Sequence, residues 1–289
     1  MKITYLSILI CLFFISCKPD GVENSKEDNL KVDKVELTPK EKAELKKELA
    51  DLSLKPTKKV SEVNLSNGIK VKYFIHGEGN ALKDGEVAQI NYEVLLDDNT
   101  FVDGNKLLKK DWLPFIVGYG MQTPGWDIAF RTLKVGDFVE VYLPSEMARG
   151  KASVKGLIPP NSNNRVRVKI VGKIKPTKEI DGTKIWLLEE NKGEKNLANE
   201  KSEIEFHYMV GTASNPRYDI SYKRNKAFVF RFSDFGIVKG LKKSLINAKR
   251  SDKMWVLIPP SEAYGEKGLM DLVKSNEHLF YDIFIMDVR

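Results

Sequence analysis

The sequence predicts an α+β protein in which one fold is used twice, and three observations carry that prediction. The same features recur along the chain at an almost constant offset. Tyr92 returns as Tyr208 and Asp103 as Asp219, each 116 residues on, while Phe115 returns as Phe230, Gly125 as Gly240, Gly150 as Gly265 and Ile158 as Val273, each 115 on. Apolar and basic residues alternate strictly from Arg165 to Ile170, and Ile204-Glu205-Phe206-His207-Tyr208 alternates likewise, which is the period of a half-buried antiparallel strand. The segments Trp126 to Leu133 and Leu241 to Ala248 each follow a glycine and carry apolar residues at helical spacing, so each copy holds one short helix. A sheet with one apolar face must bury it, and a single helix per copy is the available cover.

Taken in order, the chain opens with Met1-Lys2 and a mainly apolar run from Ile3 to Ser16, too short for a spanning helix of ~20 residues, so residues 1–16 read as a secretory signal. Phe14-Ile15-Ser16-Cys17 resembles the lipobox of bacterial lipoproteins, in which a small residue precedes a cysteine that receives lipid. That resemblance implies a lipid on Cys17, loss of Cys11 with the signal and no disulfide. It also implies a lipid-anchored place in a bacterial cell envelope, facing the periplasm or the surface. Residues 17–59 mix charges of both signs with almost no aromatic residues, the composition of a linker. Inside it, Thr38-Pro39-Lys40-Glu41 has the capping-box pattern with Pro at the first helical position. Leu45, Leu49 and Leu52 follow at helical spacing, which predicts a short helix over about 39–54. Whether that helix stands alone or docks on the first domain is open at this level. Two domains follow, 60–175 and 176–289, joined by a few residues at about Lys175 to Thr183.

Composition excludes several classes of function. With 42% hydrophobic and 30% charged residues, 289 residues bury a core and are neither disordered nor collagenous. The net charge of +7 is spread along the chain instead of gathered in a basic block, so nucleic acid is not an expected partner. His76, His207 and His278 are the only histidines, and no cysteine pair or metal-binding spacing accompanies them. No metal and no cofactor are expected, and the chain is expected to be a monomer.

Short motifs then connect the repeat to a family. Asp137-Phe138 to Gly150, DFVEVYLPSEMARG, and Lys253 to Gly265, KMWVLIPPSEAYG, resemble the strand and loop that end in I-P-x-x-x-A-Y-G in FKBP-type peptidyl-prolyl isomerases. Pro124-Gly125-Trp126 is similar to that family's G-W at the start of its helix, Gly156-Leu157-Ile158-Pro159-Pro160 to its G-I-I-P-P loop, and His207-Tyr208 to its H-Y strand. The resemblance covers roughly residues 60 to 289. It implies two FKBP-like domains, each an antiparallel sheet of five to six strands curled around one short helix, with a shallow apolar pocket between them.

By that resemblance the second copy supplies nearly the whole pocket. Tyr208, Tyr218, Phe228, Phe230 and Tyr281 fall on aromatic wall positions, and Ile237, Val238 and Val273 on aliphatic ones. Asp219 falls on the polar position beside the wall, and Tyr264 on a hydroxyl donor aimed at a substrate carbonyl. Leu241 stands where the family usually has a Trp floor. The first copy keeps a vestigial set, Tyr92, Asp103, Phe115, Trp126 and Ile158. Val102, Leu113 and Val166 replace aromatic residues there, Gln122 and Thr123 are polar where the family is aliphatic, and Arg149 replaces the loop tyrosine. Arg149 is expected to face solvent or an acidic partner.

The resemblance implies a membrane-anchored foldase that accelerates isomerisation of X-Pro bonds in extracytoplasmic polypeptides, mainly through the second domain. The alternative, from a different class, is a non-catalytic chaperone or binding module in which both pockets only hold Pro-containing or unfolded segments.

Overall fold

The computed structural model describes residues 54–55 and 58–289. The expected signal, Cys11, the lipid site Cys17 and all of the expected 39–54 helix except Leu54 lie outside the described residues. The chain divides into two compact units. One comprises the residues up to Leu82 with Ala88–Phe115 and Thr123–Gly172, and the other Lys83–Val87, Ile116–Gln122 and Lys173–Arg289.

The first sheet takes strands β1 (Ser61–Asn64), β2 (Lys70–Ile75), β3 (Val87–Leu95), β4 (Phe101–Gly104), β5 (Leu113–Ile116), β6 (Phe138–Leu143) and β7 (Asn164–Ile174). Their order is β1-β2-β6-β7-β3-β4, with β5 also paired to β3. The second sheet takes β8 (Lys178–Ile180), β9 (Thr183–Glu189), β10 (Glu203–Gly211), β11 (Asp219–Ile220), β12 (Phe228–Arg231), β13 (Lys253–Ile258) and β14 (Leu279–Val288). Its order is β11-β10-β14-β13-β9-β8, with β12 also paired to β10. The pairings are antiparallel, from β1–β2 and β6–β7 in the first sheet to β10–β14 and β13–β9 in the second. Each sheet packs on one short helix, α1 (Pro124–Phe130) or α2 (Lys239–Leu245), so the architecture is α+β with one fold used twice.

Three details differ from the sequence reading. Each sheet has seven strands, against five or six expected. The extra strand comes from a hairpin at the start of each copy. In the second copy that hairpin occupies Lys178 to Glu189, so most of the stretch expected as a linker is strand and turn. Asp181 (φ 48°) and Gly182 (φ 79°) form the two-residue turn, where both residues need the left-handed region and Asp and Gly tolerate it best. The helices also start and stop earlier than the apolar periodicity suggests. Ile246 is extended and Asn247 takes φ 67°, which ends α2 although the buried Ala248 continues the apolar pattern.

Gly125 and Gly240 sit in the first turn of each helix, against the sheet. A Cβ on Gly125 would come within 2.6 Å of Leu143 Cδ2 and 2.8 Å of the Met147 carbonyl oxygen. On Gly240 it would come within 2.3 Å of Ile258 Cγ2 and 2.7 Å of Thr183 Oγ1. Close approach of helix to sheet is therefore what the repeated glycine serves. The core of the second copy gathers Ile204, Phe206, Phe230, Leu241, Leu245, Val256, Ile258, Ile283 and Ile285 between α2 and the inner sheet face.

Candidate functional site

The loop that follows the central strand has the same shape in both copies. After β6, Ser145–Met147 forms a 3-10 turn, Ala148 takes φ −100° and ψ −118°, and Gly150 N–H donates to the Ser145 carbonyl at 2.7 Å. After β13, Pro260–Glu262 forms that turn, Ala263 takes φ −122° and ψ −118°, and Gly265 N–H donates to the Pro260 carbonyl at 2.9 Å. Gly150 and Gly265 both adopt φ 56°, a left-handed conformation that costs glycine little. Arg149 and Tyr264 therefore leave equivalent backbone positions, and only the side chain differs.

In the second copy the predicted residues converge. Tyr208 projects from β10, Tyr218 and Asp219 from the entry to β11, Phe228 and Phe230 from β12, Ile237 and Val238 from the turn before α2, and Tyr281 from β14. The Tyr208 ring lies 6.0 Å from those of Phe228 and Tyr281. Tyr218, Tyr264 and Tyr208 all act electrostatically on Tyr281, which places the four phenols in one neighbourhood. Burial first, then neighbouring acidic groups, pushes these phenols up. Tyr208 reaches about 12, where burial is followed by the hydrogen bond to Asp219. Burial alone raises Tyr264, and burial followed by the neighbouring Tyr264, Asp219 and Tyr208 raises Tyr218. All remain protonated donors near neutral pH.

Depth separates these residues into two groups. Phe230, Leu241 and Val273 are buried, with Val238 and Tyr281 nearly so, and all five belong to the core cluster of the second copy. Tyr208, Tyr218, Asp219, Phe228, Ile237 and Tyr264 remain half-exposed and are the surface available for contact. Among the described residues the Tyr208 hydroxyl is spent on Asp219, whereas no hydrogen bond engages the Tyr264 or Tyr218 hydroxyl.

The residue that sequence reasoning missed is Arg224. It closes the 3-10 turn Ser221–Arg224 after β11, pairs with Asp219, and donates from Nη2 to the Tyr208 hydroxyl at 3.0 Å. Its guanidinium carbon lies 5.9 Å from the Tyr208 ring centroid. Burial acts to raise the Asp219 carboxyl, but the hydrogen bonds from Arg224 and Tyr208 outweigh it and hold the group below its usual range. The repeat gives no signal for it, because the position 116 residues earlier is Leu108. The motif residue His207 points elsewhere: its ring stacks on Tyr222 at 4.2 Å, and burial lowers its pKa.

The first copy closes the same place. Trp126 lies 5.4 Å from Tyr92, 5.7 Å from Phe115 and 5.3 Å from Phe130, and these four rings are buried together with Val102, Ile158 and Val166. Tyr92 keeps its hydrogen bond to Asp103, at 2.9 Å. Arg149 does not simply face solvent or a partner, as its sequence suggested. It is half-buried, and its charge acts on Asp103. Thr123, equivalent to the aliphatic Val238, has a buried hydroxyl with no hydrogen-bond partner. Among the described residues, no cluster of three or more His, Cys, Asp or Glu is arranged to hold a metal ion.

Fold and site together define an α+β domain with an aromatic, half-open face. The FKBP-type peptidyl-prolyl cis-trans isomerase family matches residues 78–171 and again 194–286, and the chain belongs to that family. Human peptidyl-prolyl cis-trans isomerase FKBP10 is 24% identical over 206 residues, which are 71% of this chain and 35% of that protein. FKBP-type peptidyl-prolyl cis-trans isomerase FkpA of Buchnera aphidicola is 30% identical over 121 residues, 42% of this chain and 48% of that protein. The chain thus spans between a third and a half of the length of these relatives. The crystal structure of the three FKBP domains of wheat FKBP73 aligns with a TM-score of 0.39 and 21% identity, covering 78% of this chain and 96% of that one.

Proposed function

We propose that the protein is a peptidyl-prolyl cis-trans isomerase that acts on X-Pro bonds mainly through its second domain. We further propose that it is anchored in a bacterial cell envelope by lipid on Cys17, facing the periplasm or the cell surface, and acts there as a foldase. The observation that carries the catalytic part is the Tyr264 hydroxyl, half-exposed beside Tyr218 and engaged by no hydrogen bond among the described residues. An X-Pro bond meets a rotation barrier of ~18–20 kcal/mol that arises from amide resonance. No bond breaks, so the site needs no nucleophile. It needs apolar walls that strip water from the imide and a donor that orients a neighbouring carbonyl while the bond twists. Tyr208, Tyr218, Phe228 and Ile237 supply the walls, and Tyr264 supplies the donor. Every ~1.4 kcal/mol gained in the twisted state alone is a tenfold rate.

The lipid anchor is supported by the sequence around Ser16-Cys17 and the apolar run before it. Among the described residues no helix is long and apolar enough to cross a membrane. Proline-containing polypeptides are the proposed substrates, and isomerisation without ATP suits folding outside the cytoplasm. For the first domain a binding or spacing role is favoured by one observation: its counterpart residues stack on one another and leave Arg149 beside Asp103.

The test is protease-free isomerisation of an Ala-X-Pro peptide by the full chain in detergent, comparing Tyr218→Leu and Tyr264→Phe with Tyr92→Phe. Loss in the first two and retention in the third supports the reading. An inactive parent chain sinks it in favour of the binding module, and equal losses in both copies sink the asymmetry.

A further inference from the structure

The outer face of the first sheet, opposite α1, carries a network of charges that is buried. Along β7, Val166, Val168 and Ile170 enter the core, so Arg165, Arg167 and Lys169 point the other way. Glu140 is paired directly with Arg167, and Lys72 directly with Glu140, which puts all of them on one face. Arg167 donates from Nε to Glu140 Oε2 at 2.8 Å and from Nη1 to Glu93 Oε1 at 2.9 Å. Glu93 is only 2% exposed and Glu140 8%. A one-helix sandwich leaves this face to water, and carboxylates are rarely enclosed unless paired and covered.

One described segment lies on that face and precedes the first strand, β1. The Leu54 N–H donates to Glu93 Oε2 at 2.7 Å, and the Leu54 carbonyl accepts from Arg167 Nη1 at 3.2 Å. The ion pair thus grips both main-chain polar groups of a single residue. Leu54 is half-buried there, and it is the last residue of the stretch in which Leu45, Leu49 and Leu52 recur at helical spacing. Around the grip the face offers what such a stretch needs. Phe138, packed on Phe74 at 5.2 Å, and the half-buried Tyr142 are apolar. Asn91 Oδ1 and Arg165 Nε are enclosed with no hydrogen-bond partner.

We infer that this face is the docking surface for the chain's own residues 39–53, with their leucines turned to the sheet and the Glu93–Arg167 pair fixing the exit at Leu54. The stretch that composition marks as linker is then divided. Residues 39–53 belong to the first domain, and only residues 18–38 set the reach from Cys17, at most about 70 Å when fully extended. This inference is independent of the isomerase reading.

Hydrogen exchange by mass spectrometry on the full chain in detergent micelles tests it, followed at the amides of residues 41–53 with a free peptide of residues 39–55 as reference. Those amides are expected to exchange at least about tenfold more slowly than in the peptide, because a docked segment opens only against its packing. Leu49→Asp with Leu52→Asp changes no residue of the sheet's strands. That variant is expected to return residues 41–53 to the peptide's rate while the amides of β3, β6 and β7 keep their protection. Exchange at the peptide's rate in the intact chain overturns the inference, as does protection that survives the two aspartates. Protection that grows with protein concentration also overturns it, assigning the face to a second copy.

Discussion

The Tyr208 hydroxyl donates to Asp219 Oδ2 across 2.5 Å, and its repeat counterpart Tyr92 donates to Asp103 Oδ2 across 2.9 Å, yet their surroundings push the pKa of the two carboxyls in opposite directions. Arg224 donates directly to Asp219 and holds it below the ordinary range despite burial. Burial dominates at Asp103, where Leu108 stands in the arginine's place, although the charge of Arg149 acts to lower it. The same tyrosine–aspartate pair is therefore stabilised as an anion in one copy and strained as one in the other.

For Asp219 the folded-state pKa lies below the unfolded value near 3.8, so its contribution to stability is present above that value and is lost as pH falls through the folded pKa. Denaturant unfolding of the second domain, followed from pH 7 to pH 3, is expected to lose stability on acidification. Asp219→Asn is expected to lower stability at pH 7 and to flatten that slope. A variant with an unchanged slope would show that the Arg224 pairing contributes nothing beyond a screened surface ion pair.

For Asp103 the sign reverses. Its folded pKa is raised above 3.8, so the folded state holds the proton more tightly, and stability declines as pH rises through the window between the two values. Asp103→Asn keeps an oxygen to accept from Tyr92 and removes an enclosed charge, so at pH 7 it is expected to raise the melting temperature of the first domain. Scanning calorimetry that shows a fall instead would mean that the attraction to Arg149 outweighs the burial of the carboxylate.

The repeated glycines make a stability prediction that is the same for both copies. Gly240→Ala drives a Cβ into Ile258 and Thr183, and Gly125→Ala drives one into Leu143 and the Met147 carbonyl. Each is expected to cost about 1–3 kcal/mol by overpacking, although alanine is the better helix former. Chemical denaturation of the two variants measures it, and a neutral or stabilising result would show that the helices can slide away from the sheet.

Much of this was legible in the sequence for physical reasons. A period of two in Arg165 to Ile170 fixes which face is buried, and a glycine repeated at a 115-residue offset marks a backbone contact before the contact is seen. What was not legible depends on depth and on long-range partners. Phe230 and Tyr264 look equally like pocket residues in sequence, but the first is wholly enclosed and the second reaches the surface. The hairpin at Ile180 to Thr183 hides in a charged stretch because its strands are short and its turn needs only Asp-Gly. Arg224 was invisible because a lone arginine in an exposed turn usually signals nothing, and its meaning comes from a carboxylate brought next to it by β11.

Tyr264 and Arg149 occupy the same loop geometry, so exchanging them isolates the side chain from the backbone. Tyr264→Phe removes one hydroxyl from an otherwise intact wall. A hydrogen bond worth about 0.5–1.5 kcal/mol, formed mainly as the imide twists, predicts a fall in kcat/KM of roughly 3- to 10-fold with KM little changed. Tyr264→Arg goes further, since it sets a cation beside Tyr218 and Tyr281 and rehydrates a face whose use is to exclude water. It is expected to abolish turnover while the fold, followed by near-ultraviolet circular dichroism, persists. The reverse change, Arg149→Tyr, is expected to create no activity, because Trp126 still fills the first copy between Tyr92, Phe115 and Phe130, and because Val102 and Val166 still stand where the second copy has rings. Activity gained by Arg149→Tyr in a Tyr264→Arg background would locate the deficit of the first copy in that one loop residue, and the closed floor under it would then be of no consequence.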